Sequence, residues 1–355
     1  MTHALRPTMY FIGVTTGQSS IMKVFPRWAE ALGLDAVLVG IDVQIHAPPA
    51  EYRRVVEFIG SDPLSLGALV TTHKIDLLTA ARDMFDELDP YAQILGEVSS
   101  ISKQNGRLWG HAKDPITSGL ALEAFLPEGW WRQRGVRGER SGVRGERRGT
   151  RGKRREKCES HPLAPGPSPL PPHPSPAALI FGAGGSSLAV SMYLMDPAHG
   201  DNRPGKVVVT NRSTPRLEEM RRIHNALDYG VPCEYHHCPT LEENDRVLAC
   251  VPPGSLVINA TGLGKDRPGS PITDLALFPE NGLAWDFNYR GDLQFLVQAR
   301  AQAEQRNLVV EDGWIYFIRG WTQVIAEVFH IPIGPDKIGE LSRIAAEVRQ
   351  AARVE

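Results

Sequence analysis

Lys74 and Asp114 are the residues best suited to chemistry on an alcohol or a ketone. His73-Lys74 follows an apolar stretch, Ala68 to Thr71, and Asp114 comes after Trp109-Gly110 and precedes Pro115. Oxidising an alcohol moves a proton as well as a hydride, and an ammonium paired with a carboxylate can hold and relay that proton. Each residue also has a plainer reading: most lysines are solvated, and Asp before Pro is a strong helix N-cap.

A second constellation points to a dinucleotide. Ala178 to Phe181 reads as a strand running into Gly182-Ala183-Gly184-Gly185-Ser186-Ser187 and then a helix. Backbone N–H groups converge at such a turn, the helix dipole adds partial positive charge, and a pyrophosphate fits there. Ser187 stands where the usual fingerprint has its third glycine. The next strand, Val207 to Thr210, ends in Asn211-Arg212-Ser213-Thr214-Pro215-Arg216. An NAD-binding protein usually has an acidic residue here to grip the ribose hydroxyls. Two guanidinium groups stand instead, suited by charge and bidentate hydrogen bonding to a 2′-phosphate, which favours NADP. The alternative is a pair of surface arginines opening a helix, against its dipole. Asn259-Ala260-Thr261-Gly262 ends a further strand, where a nicotinamide would lie; a loop without a ligand explains the spacing equally well.

The elements that must position these groups follow an α/β pattern. In the first part, strands are expected at Tyr10 to Val14, Ala36 to Ile41, Ala68 to Thr71, Val98 to Ser102 and Arg107 to Trp109, the last two joined at Asn105-Gly106. Helices are expected over Met22 to Leu32 and Ala50 to Ile59, and from Ile75 and Pro115. In the second part, strands fit Ala178 to Phe181, Val207 to Thr210, Leu256 to Ala260, Ala284 to Phe287 and Leu308 to Glu311. Helices fit Ser187 to Met195, Pro215 to Tyr229 and Asp292 to Gln305. Alternating βα units imply a parallel sheet covered by helices. The tail, Lys337 to Val354, is amphipathic and reads as core packing.

The chain's 355 residues exceed one ordinary core, so two domains are expected. No apolar run is long enough to span a bilayer, and no secretory signal opens the chain. Cys158, Cys233, Cys238 and Cys250 are too few and irregular for a disulfide framework, so a reducing, cytoplasmic setting is expected. His236 and His237 lie between Cys233 and Cys238, but no second CxxC pair supports a metal site, and none is expected. The net charge of −2 hides an asymmetry: residues 132–157 carry twelve Lys or Arg against three Glu, leaving the rest at −11. That segment repeats every seven residues (RGVRGER, SGVRGER, RGTRGKR, from Arg134) and a proline-rich stretch follows it. It has nothing apolar to bury, so disorder is expected over residues 131–176. A passive insertion explains it best; weak polyanion binding is the only nucleic-acid role it suggests, since no aromatic residue is interleaved for stacking.

Taken together, these residues resemble the shikimate dehydrogenase family over nearly the whole chain except the insertion. Ile12-Gly13 and Gln18-Ser19 look like its opening strand and substrate-carboxylate serine loop. Leu69 to Lys74 resembles its segment ending in Pro-His-Lys, with Thr71 and Lys74 on substrate-side and catalytic positions. Gly96 to Ser100 is similar to its Gly-Ala-Val-Asn-Thr, and Gly110 to Asp114 to its Gly-x-Asn-Thr-Asp, with Asp114 at the catalytic aspartate. Asp286-Phe287-Asn288-Tyr289 and Asp312-Gly313 match later landmarks, Tyr289 on the substrate side, Asp286 and Gly313 on the cofactor side.

The resemblance implies a substrate domain over residues 1–130, a Rossmann-type NADP domain over 177–311, and C-terminal helices over 312–355 packing back on the first domain. The site would lie in the cleft between the domains. It implies a cytoplasmic, NADP-dependent dehydrogenase, compatible with a homodimer, that acts on a ring hydroxyl of a shikimate-like cyclic hydroxy acid or cyclitol, with no metal. Several positions depart from the family. Its second loop serine falls on Ile21 and the serine-loop proline on Met22. Its two hydroxyl-contacting asparagines fall on Ser99 and Ala112, the threonine beside the aspartate on Lys113, and a late glutamine on Gly320 or Arg319. The changed shell argues for a substrate other than shikimate itself, with Lys113, Arg107 or Arg27 available to an acidic group. The competing expectation is an inactive or regulatory NADP-binding protein on the same fold.

Overall fold

The computed structural model describes residues 2–135, 175–265 and 267–351. The first part runs β1 (Thr8–Gly13), α1 (Ile21–Leu32), β2 (Val37–Asp42), α2 (Pro49–Ser61), β3 (Ser65–Val70), α3 (Lys74–Ala81), β4 (Glu87–Leu88), α4 (Pro90–Leu95), β5 (Ser100–Gln104), β6 (Arg107–His111), α5 (Asp114–Glu123) and α6 (Trp130–Gly135). Its strands form one mixed sheet in the order β2-β1-β3-β5-β6-β4. Helices α1 and α2 are the crossovers that make β1, β2 and β3 parallel. β5 and β6 pair antiparallel through Asn105-Gly106, both at positive φ as a two-residue hairpin demands.

The second part runs β7 (Ala177–Phe181), α7 (Gly185–Met195), β8 (Lys206–Asn211), α8 (Thr214–Leu227), β9 (Cys233–His237), α9 (Leu241–Leu248), β10 (Leu256–Asn259), β11 (Leu283–Asp286), α10 (Gln294–Arg306) and β12 (Val309–Glu311). These strands form a parallel sheet in the order β12-β11-β10-β7-β8-β9. Central β7 and β10 are buried along their whole lengths, as continuous apolar runs covered on both faces must be. The order reverses direction between β7 and β10, which opens a crevice at their carboxyl ends.

The expected strands and helices are all present, with small shifts at their ends. β9 and α9 were not expected. β9 is a half-exposed edge strand without an apolar run, and α9 is polar and starts on a Thr240–Glu243 capping box. The segment 131–176 lies largely outside the described residues, Cys158 with it. At its front edge Trp131 and Arg132 belong to α6, where Trp130 and Trp131 are buried and Trp130 Nε1 donates to Gly254 O at 3.0 Å.

The chain then returns to the first sheet through α11 (Trp314–Phe329) and α12 (Pro335–Ala351). Phe317, Trp321 and Ile325 of α11 and Leu341 of α12 share a core with Met9, Phe11, Phe25 and Trp28. Trp28 Nε1 donates to Leu341 O at 2.8 Å, and Arg27 pairs with Glu347 on the rim. Among the described residues no helix is long and apolar enough to cross a membrane.

Candidate active site

Lys74 opens α3 at the end of a tight turn. Its N–H donates to Thr71 O at 3.1 Å, and Val98 N donates back to its carbonyl at 3.2 Å. The turn is pinned by His73, which is 1% exposed and shares a hydrogen bond with Tyr52 Oη through Nδ1 at 3.1 Å; burial depresses its basicity. Asp114 is the first residue of α5. The plainer N-cap reading of Asp114 does not hold: Lys113 occupies the cap position, no side chain caps the helix, and the Asp114 carboxylate turns instead to the Lys74 ammonium. The two side chains are 19% and 10% exposed, so the pair is mostly enclosed yet reachable. Burial works against the Lys74 charge, but Asp114 and Glu97 outweigh it and hold the ammonium above its ordinary value.

The pair lies in a cleft of about 810 Å³ between the two sheets. Ser19, Thr71, Ser99, Tyr289 and Gly320 line it, and so do Gln18 and Lys113. Gly320 rather than Arg319 faces the cleft. Ser99 contributes little free polarity: it is 3% exposed, its oxygen accepts from Lys113 N at 2.8 Å, and its hydroxyl is turned to His111 O at 3.4 Å. Ile21 is a correction. It is wholly buried among Val24, Phe25 and the α11 side chains, because the first turn of α1 faces the core there. Arg27 and Arg107 also lie away from the cleft, beside Glu347 and the Asp86–Glu87 pair. Lys113 is held by Glu327, Nζ to Oε2 at 2.5 Å, and the other Glu327 oxygen lies 3.3 Å from His111 Nε2. The roof is apolar, with Phe317, Trp321 and Val324 of α11.

In the second sheet, Gly182 to Ser186 link β7 to α7. Gly182 has φ of 101°, and a Cβ there would lie 2.9 Å from Ala260 O, so the turn needs glycine twice over. Gly182 N donates to Thr210 O at 2.8 Å and Ala260 N to Phe181 O at 3.0 Å. These bonds stitch the ends of β7, β8 and β10 together. They bring Asn211 to Arg216 to one side of the glycine turn and Ala260 to Gly262 to the other. α7 begins on Gly184 with no side-chain cap, so its first N–H groups and its dipole are available to an anion. Ser213 caps α8 in position, and Arg212 and Arg216 beside it are exposed. The donor set fits a dinucleotide with a 2′-phosphate. Thr261, Gly262 and Gly313 line the cleft.

Two residues expected to touch the cofactor do not reach the surface. Asn259 and Asp286 are both 0% exposed. Asn259 Nδ2 donates to Asp286 Oδ2 at 3.0 Å, its Oδ1 accepts from Thr261 Oγ1 at 2.7 Å, and Asp286 Oδ1 accepts from Asn288 N at 2.8 Å. They hold the strand ends on which the cleft loops ride. Burial pushes the Asp286 carboxyl up to about 7, and the bonds from Asn288 and Asn259 pull it back only in part.

The sequence reading missed two groups. Glu97 is 2% exposed, and burial raises its carboxyl to about 7, with Lys74 lowering and Asp114 raising it. Tyr316 lies between Asp114 and Ser186 and stacks on Phe287 with centroids 4.8 Å apart; burial, then the charges of Asp114 and Glu97, raise its hydroxyl well above its ordinary value. The signal for Glu97 was an acid inside an otherwise apolar run, Ile94 to Val98. Tyr316 carried no signal beyond following Asp312-Gly313. Among the described residues no group of three or more His, Cys, Asp or Glu could hold a metal ion.

No protein-family model matches the chain. Curated relatives do. The NADP(+) shikimate dehydrogenase of Symbiobacterium thermophilum is 26% identical over 286 residues, covering 80% of this chain and 75% of its own. The chain is thus similar to shikimate dehydrogenases over most of its length. The fold agrees. Thermus thermophilus shikimate 5-dehydrogenase, solved with NADP(H) and shikimate, superposes with a TM-score of 0.59 at 22% identity over 95% of this chain and 99% of its own. Quinate dehydrogenase of Corynebacterium glutamicum, solved with NAD, gives 0.67 at 18% identity over 96% and 99%. Of the positions that depart from the shikimate dehydrogenase pattern, Ser99 and Lys113 line the cleft and Ile21 and Ala112 are buried, whereas the glycine turn and the Asn211-Arg212 segment are kept.

Proposed function

We propose that the protein is an NADP-dependent oxidoreductase of the cytoplasm. It exchanges hydride reversibly with a ring hydroxyl or ketone of a shikimate-like cyclic hydroxy acid or related cyclitol. The observation that carries this is one cleft lined by both the Lys74–Asp114 pair and the Thr261-Gly262 loop, the loop that packs directly against the Gly182 turn. Residues 1–130 would supply the substrate wall, 177–311 the cofactor wall, and 312–355 the roof. Bound NADP supplies or accepts the hydride. Lys74 and Asp114 bind the reacting oxygen and hold its proton, and enclosure by α11 keeps bulk water from competing for it. Gln18 and Ser19 suit a substrate carboxylate. Arg212 and Arg216 hold the 2′-phosphate.

The substrate wall offers few free hydroxyl-readers, since Ala112 is apolar and buried and Ser99 is occupied by backbone. That favours a substrate with fewer ring hydroxyls than shikimate, and it is the one observation that supports an inactive, ligand-binding relative instead. The retained ion pair opposes the inactive reading. Purified protein with NADP and a panel of cyclic hydroxy acids and cyclitols decides: absorbance should change at the nicotinamide band, and Lys74→Ala and Asp114→Asn should each slow turnover by roughly 10²–10⁴-fold. Tight NADP binding without turnover on any compound would replace the enzyme with the binding protein.

A further inference from the structure

Glu97 is a buried acid that the hydride reaction does not itself call for. It sits between α4 and β5, 2% exposed, and its Oε1 has no hydrogen-bond partner among the described residues. Its other oxygen occupies a notch in the cofactor wall. A Cβ built on Gly185, the first residue of α7, would lie 2.2 Å from Glu97 Oε2, so the glycine there makes room for the acid. The carboxyl therefore shares the uncapped end of α7 with whatever anion the glycine turn binds. The charged and titratable groups acting on it are Lys74 from α3 and Asp114 from α5, with Tyr316 of α11 close enough to feel its charge.

We propose that Glu97 is a positioning residue that couples the cofactor turn to the Lys74–Asp114 pair, taking up one proton from solvent as the dinucleotide docks and returning it on release. The inference rests on the reading of the Gly182 turn as a dinucleotide site. Two anions at one enclosed helix end repel, and the carboxyl is the one that can neutralise itself. Free, it is poised near neutrality at about 7, so the added negative charge has only to tip it. Once Glu97 is neutral, Lys74 keeps one carboxylate partner instead of two. Its proton is held less tightly, and the pair is readied for proton transfer only when the cofactor is present.

The test is calorimetric titration of NADP into the full chain in buffers of different ionisation enthalpy, which counts protons without requiring turnover. Above pH 7 the cofactor's own phosphates are already ionised. At about pH 8 the wild type should take up close to one proton per NADP, and its affinity should fall up to about tenfold per pH unit above 7. Glu97→Gln should take up none and bind with little pH dependence. Equal proton uptake in wild type and Glu97→Gln, or none in wild type, overturns the proposal while leaving the cofactor reading intact. No NADP binding to wild type at any pH overturns both. A steric arm covers poor folding of Glu97→Gln: Gly185→Ala should weaken NADP binding several-fold, and adding Glu97→Ala should restore it. As a second measurement, carbon-13 NMR of wild type should show a glutamate carboxyl titrating near neutral pH, and its absence also overturns the proposal.

Discussion

Replacing Asp286 with asparagine should reverse the sign of its effect on stability as the pH rises. The native carboxyl is wholly buried and held at about 7 against an ordinary value of 3.8. Between those values the folded protein keeps a proton that the unfolded chain has lost. The stability linked to that proton is complete below about pH 4, declines as pH rises, and is exhausted above about 7. At about 1.4 kcal/mol per pH unit, the wild type loses roughly 4 kcal/mol across the window. The variant has no charge to bury and escapes this loss. It gives up one acceptor oxygen, however, so the bond from Asn259 or from Asn288 N is forfeited, at a cost of about 1 kcal/mol at every pH. Asp286→Asn should thus be about 1 kcal/mol less stable than wild type near pH 4 and roughly 3 kcal/mol more stable near pH 8. Urea denaturation of both proteins at matched pH values, read as the difference, measures the gap. A gap that stays constant from pH 4 to 8 would refute the reasoning, because it would mean that Asp286 ionises alike in the folded and unfolded chain.

The remaining predictions concern the two walls of the cleft. Arg212→Ala and Arg216→Ala should each weaken NADP binding by roughly 10- to 100-fold, the worth of a charge-assisted hydrogen bond, and leave NAD binding unchanged. Equal loss for both cofactors, by tryptophan fluorescence titration, would remove the 2′-phosphate role. Glu327→Gln releases Lys113 from its 2.5 Å ion pair, so KM for an acidic substrate should shift several-fold while kcat holds. Unchanged KM on every acidic substrate turned over would take Lys113 out of the substrate wall.

The fold was legible because its strands announce themselves in composition. β7 is an unbroken apolar run, β10 and β11 are apolar up to their last residue, and β1 to β3 are separated by helical spacing that forces parallel crossovers. β9 and α9 were illegible by apolar pattern because an edge strand and a surface helix bury little. The Thr240-x-x-Glu243 signature was nevertheless in plain view. Within the site, the glycine turn, Lys74 and Asp114 could be read from residue type and neighbours, since each depends on local backbone. Ile21, Asn259 and Asp286 could not. Whether a side chain faces a ligand or a core is settled largely by packing from elements distant in sequence, as α11 packs with Ile21 and Asn259 of β10 bonds Asp286.

The misplaced residues and the missed ones have one physical cause. Asp286 and Glu97 are both carboxyls whose solvent is excluded by segments far away in the chain, and both end near neutrality at about 7 instead of fully ionised. They differ in what surrounds them. Asp286 accepts hydrogen bonds from Asn288 N and Asn259 Nδ2, which offset its burial in part and fix two strand ends. Glu97 keeps an unpaired oxygen, stands beside the Lys74–Asp114 charges, and lies against Gly185, where a Cβ would fall 2.2 Å from its Oε2. Strongly perturbed buried acids beside a specific charge partner cluster at functional sites. That contrast marks Glu97, and not Asp286, as the carboxyl whose titration should be felt at the cofactor.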